Sequence, residues 1–292
     1  MADPLYDDDQ STEPETEGSA IDSHVHFWKF DKKSNAWITS DMKILQKNYL
    51  PENIALSFKR NGVEGCVAVQ ASPTELETLF LVELAKTHKI IRGVVGWVDL
   101  QAANVEERLE YFSQFHIIKG FRHVVQSEPK DFLLRPNFLR GVKALKPFGY
   151  TYDILIYHYQ LEAASKFVAE FPDQKMIIDH CAKPDIRKKD INDWRNYMKK
   201  ISNNPNIYCK LSGLLTEASW QNWSAADFYP YLDAVFEAFG TDRLVFGSDW
   251  PVILLSGIYV QWKSLLEKYM EGFKPEERDQ VFRTNAIRFY NL

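Results

Sequence analysis

From Ala20 to Tyr290 the chain alternates short apolar runs rich in β-branched residues with longer amphipathic segments, eight times over. This alternation limits its fold more than any other feature. A strand, a crossover helix and a second strand set the strands parallel, and parallel strands need cover on both faces. Eight such units, with no GxGxxG turn after the first strand, argue for a closed (β/α)8 TIM-like barrel rather than a doubly wound open sheet. The 292 residues suit one such barrel, which runs to ~250 residues. Strands are predicted at 20–26, 63–70, 90–98, 117–125, 151–157, 175–180, 206–212 and 243–249. Pro51 opens the first helix and Asn61-Gly62 ends it, with proline at the first turn and glycine at the exit. Two further helices, about 258–269 and 275–290, are expected to close the chain.

Residues 1–19 are acidic and polar and are expected to be a disordered leader or a cloning remnant, with the barrel domain at 20–292. A net charge of −5 gives no reason to expect nucleic acid or an anionic membrane surface as partner. No apolar run approaches the ~20 residues that span a bilayer. No basic segment followed by an apolar one marks a secretory signal. Cys66, Cys181 and Cys209 all fall in apolar runs, so free buried thiols in a reducing compartment, the cytoplasm, are expected. The expected partner is a small molecule, and homo-oligomerisation is left open.

The first strand carries Ile21-Asp22-Ser23-His24-Val25-His26. Alternation puts both histidines on one face, with Cα atoms about 7 Å apart, so both rings can converge on one ion or one substrate atom. Chemistry in such barrels sits at the C-terminal strand ends. The polar residues predicted there are His24 and His26, Gln70, Asp99, Arg122 and His123, His158, His180, Ser212 and Asp249. His24, His26, His180 and Asp249 offer a nitrogen and carboxylate set that suits one zinc or similar divalent ion. The same set equally suits a water-activating carboxylate beside imidazole donors with no metal. Arg122 is expected to hold substrate, and His123 is a further substrate-binding candidate, although it faces the opposite way if the strand is regular. Gln70, Trp28 and Trp250 are candidate pocket walls. Lys210 should point into the barrel and needs a counter-charge, with Asp22, Asp153 and Asp249 as candidates. A Cys181 nucleophile is rejected, because neighbouring strand residues point apart and His180 could not serve it.

The motifs Ile-Asp-Ser-His-Val-His-Phe-Trp (21–28), Val-Gln-Ala (69–71), Gly-Phe-Arg-His (120–123), Ile-Asp-His-Cys-Ala-Lys-Pro (178–184), Cys-Lys-Leu-Ser-Gly (209–213) and Phe-Gly-Ser-Asp-Trp-Pro (246–251) occur in this order. Together they resemble the lactonase branch of the amidohydrolase superfamily, which includes L-fucono- and L-rhamnono-lactonases and 2-pyrone-4,6-dicarboxylate lactonase. The resemblance runs from about residue 20 to the end. It implies a TIM-like barrel that hydrolyses a lactone, most readily a sugar-acid lactone. It implies that Asp249 activates water, that His24, His26 and His180 surround the reacting carbonyl, and that Arg122 holds an anionic or hydroxyl-rich substrate. Larger members carry a carbamylated lysine or glutamate on strand 4 and a histidine on strand 5. Lys119 is expected to lie too deep for that role, and His158 stands about where the strand 5 ligand would be. A metal-dependent decarboxylase of the same superfamily and a non-catalytic sugar-acid-binding barrel are the competing readings.

Overall fold

A computed structural model describes residues 19–220 and 222–292. The expectation for the acidic leader therefore falls, but for Ser19, outside the described residues. Eight parallel strands lie in sequence order: β1 (Ala20–Val25), β2 (Val63–Val69), β3 (Ile91–Gly96), β4 (Ile118–His123), β5 (Thr151–Ile154), β6 (Met176–Ile178), β7 (Ile207–Leu211) and β8 (Leu244–Phe246). A parallel bridge between Val25 and Trp250 brings the sheet round on itself. The seam is reinforced by His26 N–H to the Trp250 carbonyl (2.7 Å), Asp249 N–H to the His24 carbonyl (2.9 Å) and Ser23 Oγ to the Phe246 carbonyl (2.6 Å). The result is the expected (β/α)8 barrel.

Between and after the strands run α1 (Pro51–Arg60), α2 (Glu75–Thr87), α3 (Val105–Ser113), α4 (Pro136–Lys143), α5 (Leu161–Ala169), α6 (Asn192–Ile201), α7 (Leu214–Glu217), α8 (Ala225–Phe239), α9 (Tyr259–Tyr269), α10 (Pro275–Asp279) and α11 (Asn285–Tyr290). Local chemistry sets several of their ends. Pro51 starts α1, Ile54 and Phe58 bury its inner face, and Gly62 leaves it at φ +63°. The Thr74 hydroxyl accepts the Glu77 N–H at the start of α2. A π-turn over Gln280–Thr284 joins α10 to α11, so the predicted last helix is continuous but locally wide. Among the described residues no helix is long and apolar enough to cross a membrane.

The core has two compartments. A large cluster lies between strands and helices, and a smaller one inside the barrel holds Ile21, Val67, Val95, Ile177, Tyr208 and Val245. Ala286, Phe289 and Tyr290 of α11 join the inner cluster and close the barrel floor.

Three departures from regular strands shape the upper end. The β1–β2 register shifts between Asp22 and Val25. Ile21 faces the barrel interior and Val25 the helix layer, so the alternation has slipped by one residue between them. That slip turns His24 inward although Asp22 belongs to the outer side. β6 and β8 also end earlier than predicted. His180, Cys181, Ala182 and Lys183 take φ of 54°, 51°, 58° and 46°, and Asp249 takes 61°. Left-handed backbone cannot continue a strand. His180 therefore does not end a strand, and Cys181 is not its alternating neighbour, so that argument against a Cys181 nucleophile no longer applies. Cys181 is still fully buried, its thiol turned to the Lys210 carbonyl (3.3 Å).

Candidate active site

The slip in β1 and the left-handed turns after β6 and β8 bring four predicted residues together. His24 Nε2 lies 3.1 Å from His26 Nε2 and 3.8 Å from Asp249 Oδ1. Asp249 Oδ1 is 3.3 Å from His26 Nε2 and 3.9 Å from His180 Nε2. The His24 and His180 ring centres are 4.4 Å apart. Two of these rings are fixed from behind. His26 Nδ1 meets the Val69 carbonyl at 2.7 Å; a carbonyl only accepts, so Nδ1 carries a proton and Nε2 is the nitrogen turned to the site. His180 Nδ1 meets Ser212 Oγ at 2.8 Å. Gly213, at φ +65°, packs against the same ring, where a Cβ would come within 2.6 Å of Cγ and Nδ1. Asp22 Oδ1 accepts the His24 and Ser248 N–H groups and so ties β1 to the turn that carries Asp249.

Above the cluster opens a cavity of about 430 Å³, with His26, Arg122, His180 and Asp249 in its inner wall and Trp37 and Lys183 further out. His24 is fully buried behind this wall. Three predicted wall residues do not line the cavity. The Trp28 indole N–H is held by the Lys47 carbonyl, and its ring packs on Trp37 and Tyr49. Trp250 packs on Phe27 and Tyr49. Gln70 donates to the Arg122 carbonyl. The long loop after β1, which carries Trp28, packs Tyr49 on both indoles and supplies Trp37 to the cavity wall. His123 packs outward on Phe132, with ring centres 4.7 Å apart, as alternation predicts, yet its edge still reaches the cavity and Glu128. His158 is occupied by the Lys183 carbonyl (3.0 Å), and Lys119 by the Asn291 carbonyl at the barrel floor (2.8 Å). Neither reaches the cluster.

One residue that the sequence reading passed over dominates the electrostatics. Asp179 pairs through Oδ2 with Arg122 Nη1 (2.9 Å), and through Oδ1 with Lys210 Nζ (3.0 Å) and His24 Nδ1 (3.4 Å). Lys210 points inward as expected, 2.6 Å from Asp153 Oδ2 and 3.2 Å from His24 Nδ1. Of its three proposed counter-charges, only Asp153 is found at this ammonium. Asp22 lies on the other side of the strand and Asp249 at the mouth. Tyr290 OH also donates to Asp153 (2.7 Å). Arg122 is an internal ion-pair partner that also faces the cavity, donating to Asp179 and to the Gln70 carbonyl.

Burial holds the His24 imidazole well below its ordinary pKa and lowers His180 to about 4, so both rings are neutral near pH 7. Burial alone would raise Asp249, but His180, His26 and Lys183 outweigh it and hold the carboxyl below its usual range. Asp179 is likewise pushed up by burial and brought well below the usual range by Lys210, His24 and Arg122. The site thus presents an ionised carboxylate beside the neutral imidazoles of His24 and His180. Asp249 Oδ1 is buried and, among the described residues, has no hydrogen-bond partner. Donor atoms of His24, His180 and Asp249 lie within 4.8 Å of one another. Neutral nitrogen and carboxylate oxygen at this spacing fit a divalent ion.

The family model described as Amidohydrolase matches residues 21–292. An L-fucono-1,5-lactonase of Burkholderia multivorans is 36% identical over 284 residues, covering 93% of this chain and 96% of that protein. A second L-fucono-1,5-lactonase, from Burkholderia ambifaria, is 31% identical, covering 93% of this chain and 95% of its own length. The crystal structure of an amidohydrolase from Burkholderia multivorans with bound zinc superposes with a TM-score of 0.90 at 36% identity, covering 94% of this chain and 100% of that one. With the match running from the first strand through α11, the chain belongs to the amidohydrolase family.

Proposed function

We propose that this protein hydrolyses a sugar-acid lactone of the L-fucono-1,5-lactone type, with Asp249 as the base. The observation that carries this reading is the Asp249 carboxylate. It is buried and ionised, with Oδ1 turned to three imidazole nitrogens at the inner end of a cavity large enough for a six-membered lactone ring. Asp249 takes a proton from a water placed over the lactone carbonyl, and the water oxygen adds to that carbon. His26 and His180, fixed by Val69 and Ser212, orient the carbonyl and face the oxyanion that develops on it. Collapse breaks the bond to the ring oxygen, and Asp249 returns the proton to the departing alkoxide. His24, His180 and Asp249 would hold a divalent ion, with zinc the ion this donor set suits best. Bound there, it would polarise the lactone carbonyl.

The relatives above 30% identity carry the lactonase name, which supports hydrolysis over decarboxylation or simple binding. Three free, buried cysteines suit a reducing compartment such as the cytoplasm.

A pH-indicator screen of aldonolactones, with and without chelator, tests the reaction. Asp249→Asn tests the base: kcat should fall at least ~10²-fold while substrate still binds, because asparagine keeps the shape but cannot take the proton. Near wild-type kcat in that variant on the best lactone would sink the mechanism.

A further inference from the structure

The left-handed turn that delivers His180 ends on Lys183, which also lines the cavity and has no part in the reaction described above. Four consecutive non-glycine residues in this conformation are costly, and such strain is kept where it places side chains. The Lys183 side chain is 14% exposed, and its ammonium stands 5.3 Å from the Tyr157 ring centre. Its ion-pair partner is Glu217 of α7, at 3.8 Å, which is attractive but too long for a hydrogen bond. Among the described residues its three N–H donors make no hydrogen bond. Arg122, the cation of the inner wall, already donates to Asp179 and to the Gln70 carbonyl. Lys33 also borders the cavity, but from the exposed loop after β1. Lys183 is close enough to the reacting end for its charge to act on both Asp249 and His180.

We infer that Lys183 is a substrate-binding residue that donates to hydroxyl oxygens of the lactone and, after ring opening, to the carboxylate of the sugar acid. Glu217 is its positioning residue, holding the ammonium over the cavity without saturating it. The inference rests on the lactonase reading and adds a consequence. Ring opening turns a neutral ligand into an anion beside a fixed cation, so the product binds more tightly than the substrate and inhibits.

The test uses the full-length protein, L-fucono-1,5-lactone as substrate and L-fuconate as inhibitor. Lys183→Met should raise KM and the product inhibition constant roughly tenfold or more, as loss of a charge-assisted donor does, with kcat changed less than about threefold. Lys183→Arg should recover most of both. Circular dichroism checks the fold; if Lys183→Met does not fold, Lys183→Gln is measured in its place. KM and product inhibition within about twofold of wild type would overturn the inference and leave the lactonase reading intact. So would a loss confined to kcat. A wild type that hydrolyses no lactone overturns both.

Discussion

Arg122 was expected to serve the substrate, and its surroundings give it a second duty. Its guanidinium is 3% exposed and shares Asp179 with Lys210. Removing one member of a buried ionic network strands the others, at a cost of roughly 3–5 kcal/mol. Arg122→Met should therefore lower the thermal midpoint as well as activity, and adding Asp179→Asn should restore part of the stability. An unchanged midpoint in the single variant would return Arg122 to a purely substrate-facing role. The arginine itself was legible from its place at a strand end. Its partner could have been found by parity, since Ile177 faces the interior and Asp179 follows it by two. By the same parity the adjacent His180 should face outward, and it reaches the site only because the backbone turns left-handed.

At the scale of elements, every strand and nearly every helix was legible in outline, because hydrophobic period and end signals are local. The strand ends were not. A positive φ at a non-glycine residue leaves no mark in composition, nor does the one-residue slip in β1 that brings His24 round. The end of β7 offers a test of how these irregular ends interlock. Gly213 opens α7 in left-handed conformation with the His180 ring against its α-carbon. Gly213→Ala adds both backbone strain and a clash, so stability should fall by about 1–3 kcal/mol. His180 must shift, so kcat should fall more than about tenfold. Retention of full activity, measured beside denaturant unfolding, would show that the ring has slack that the packing does not suggest.

For the whole molecule, the eightfold alternation specified the barrel, but long-range charge burial could not be read from it. Asp22 is fully buried, and burial raises its carboxyl to about 6. In the unfolded chain the same group titrates near 3.9. Between these values the folded protein binds the extra proton, so this group makes stability fall as pH rises from about 4 to 6, after which its effect is constant. Going from pH 5 to pH 7 should cost about 1 kcal/mol through Asp22 alone. Asp22→Asn keeps an acceptor for the His24 and Ser248 amides and should raise stability at pH 7 relative to pH 5 by about 1 kcal/mol over the wild type in urea unfolding. An identical slope in the variant would mean that the carboxyl is solvated or paired in a way the structure does not record. Asp179, with its depressed pKa, acts in the opposite sense, and its contribution is lost only as pH falls below about 4.

The barrel floor ties the two ends of the fold together. Tyr290 of α11 reaches Asp153, Asp153 holds Lys210, and Lys210 meets His24 on the first strand. During synthesis on the ribosome β1 emerges first, while its neighbour across the seam and the helix beneath it emerge last. Until then the strand that carries His24 and leads into His26 has one unpaired edge. Folding is thus not complete by growth from the first strand onward. His24 and His26 acquire their surroundings in one late step, and a nascent chain halted before α11 would hold the residues of the candidate site without the structure that arranges them.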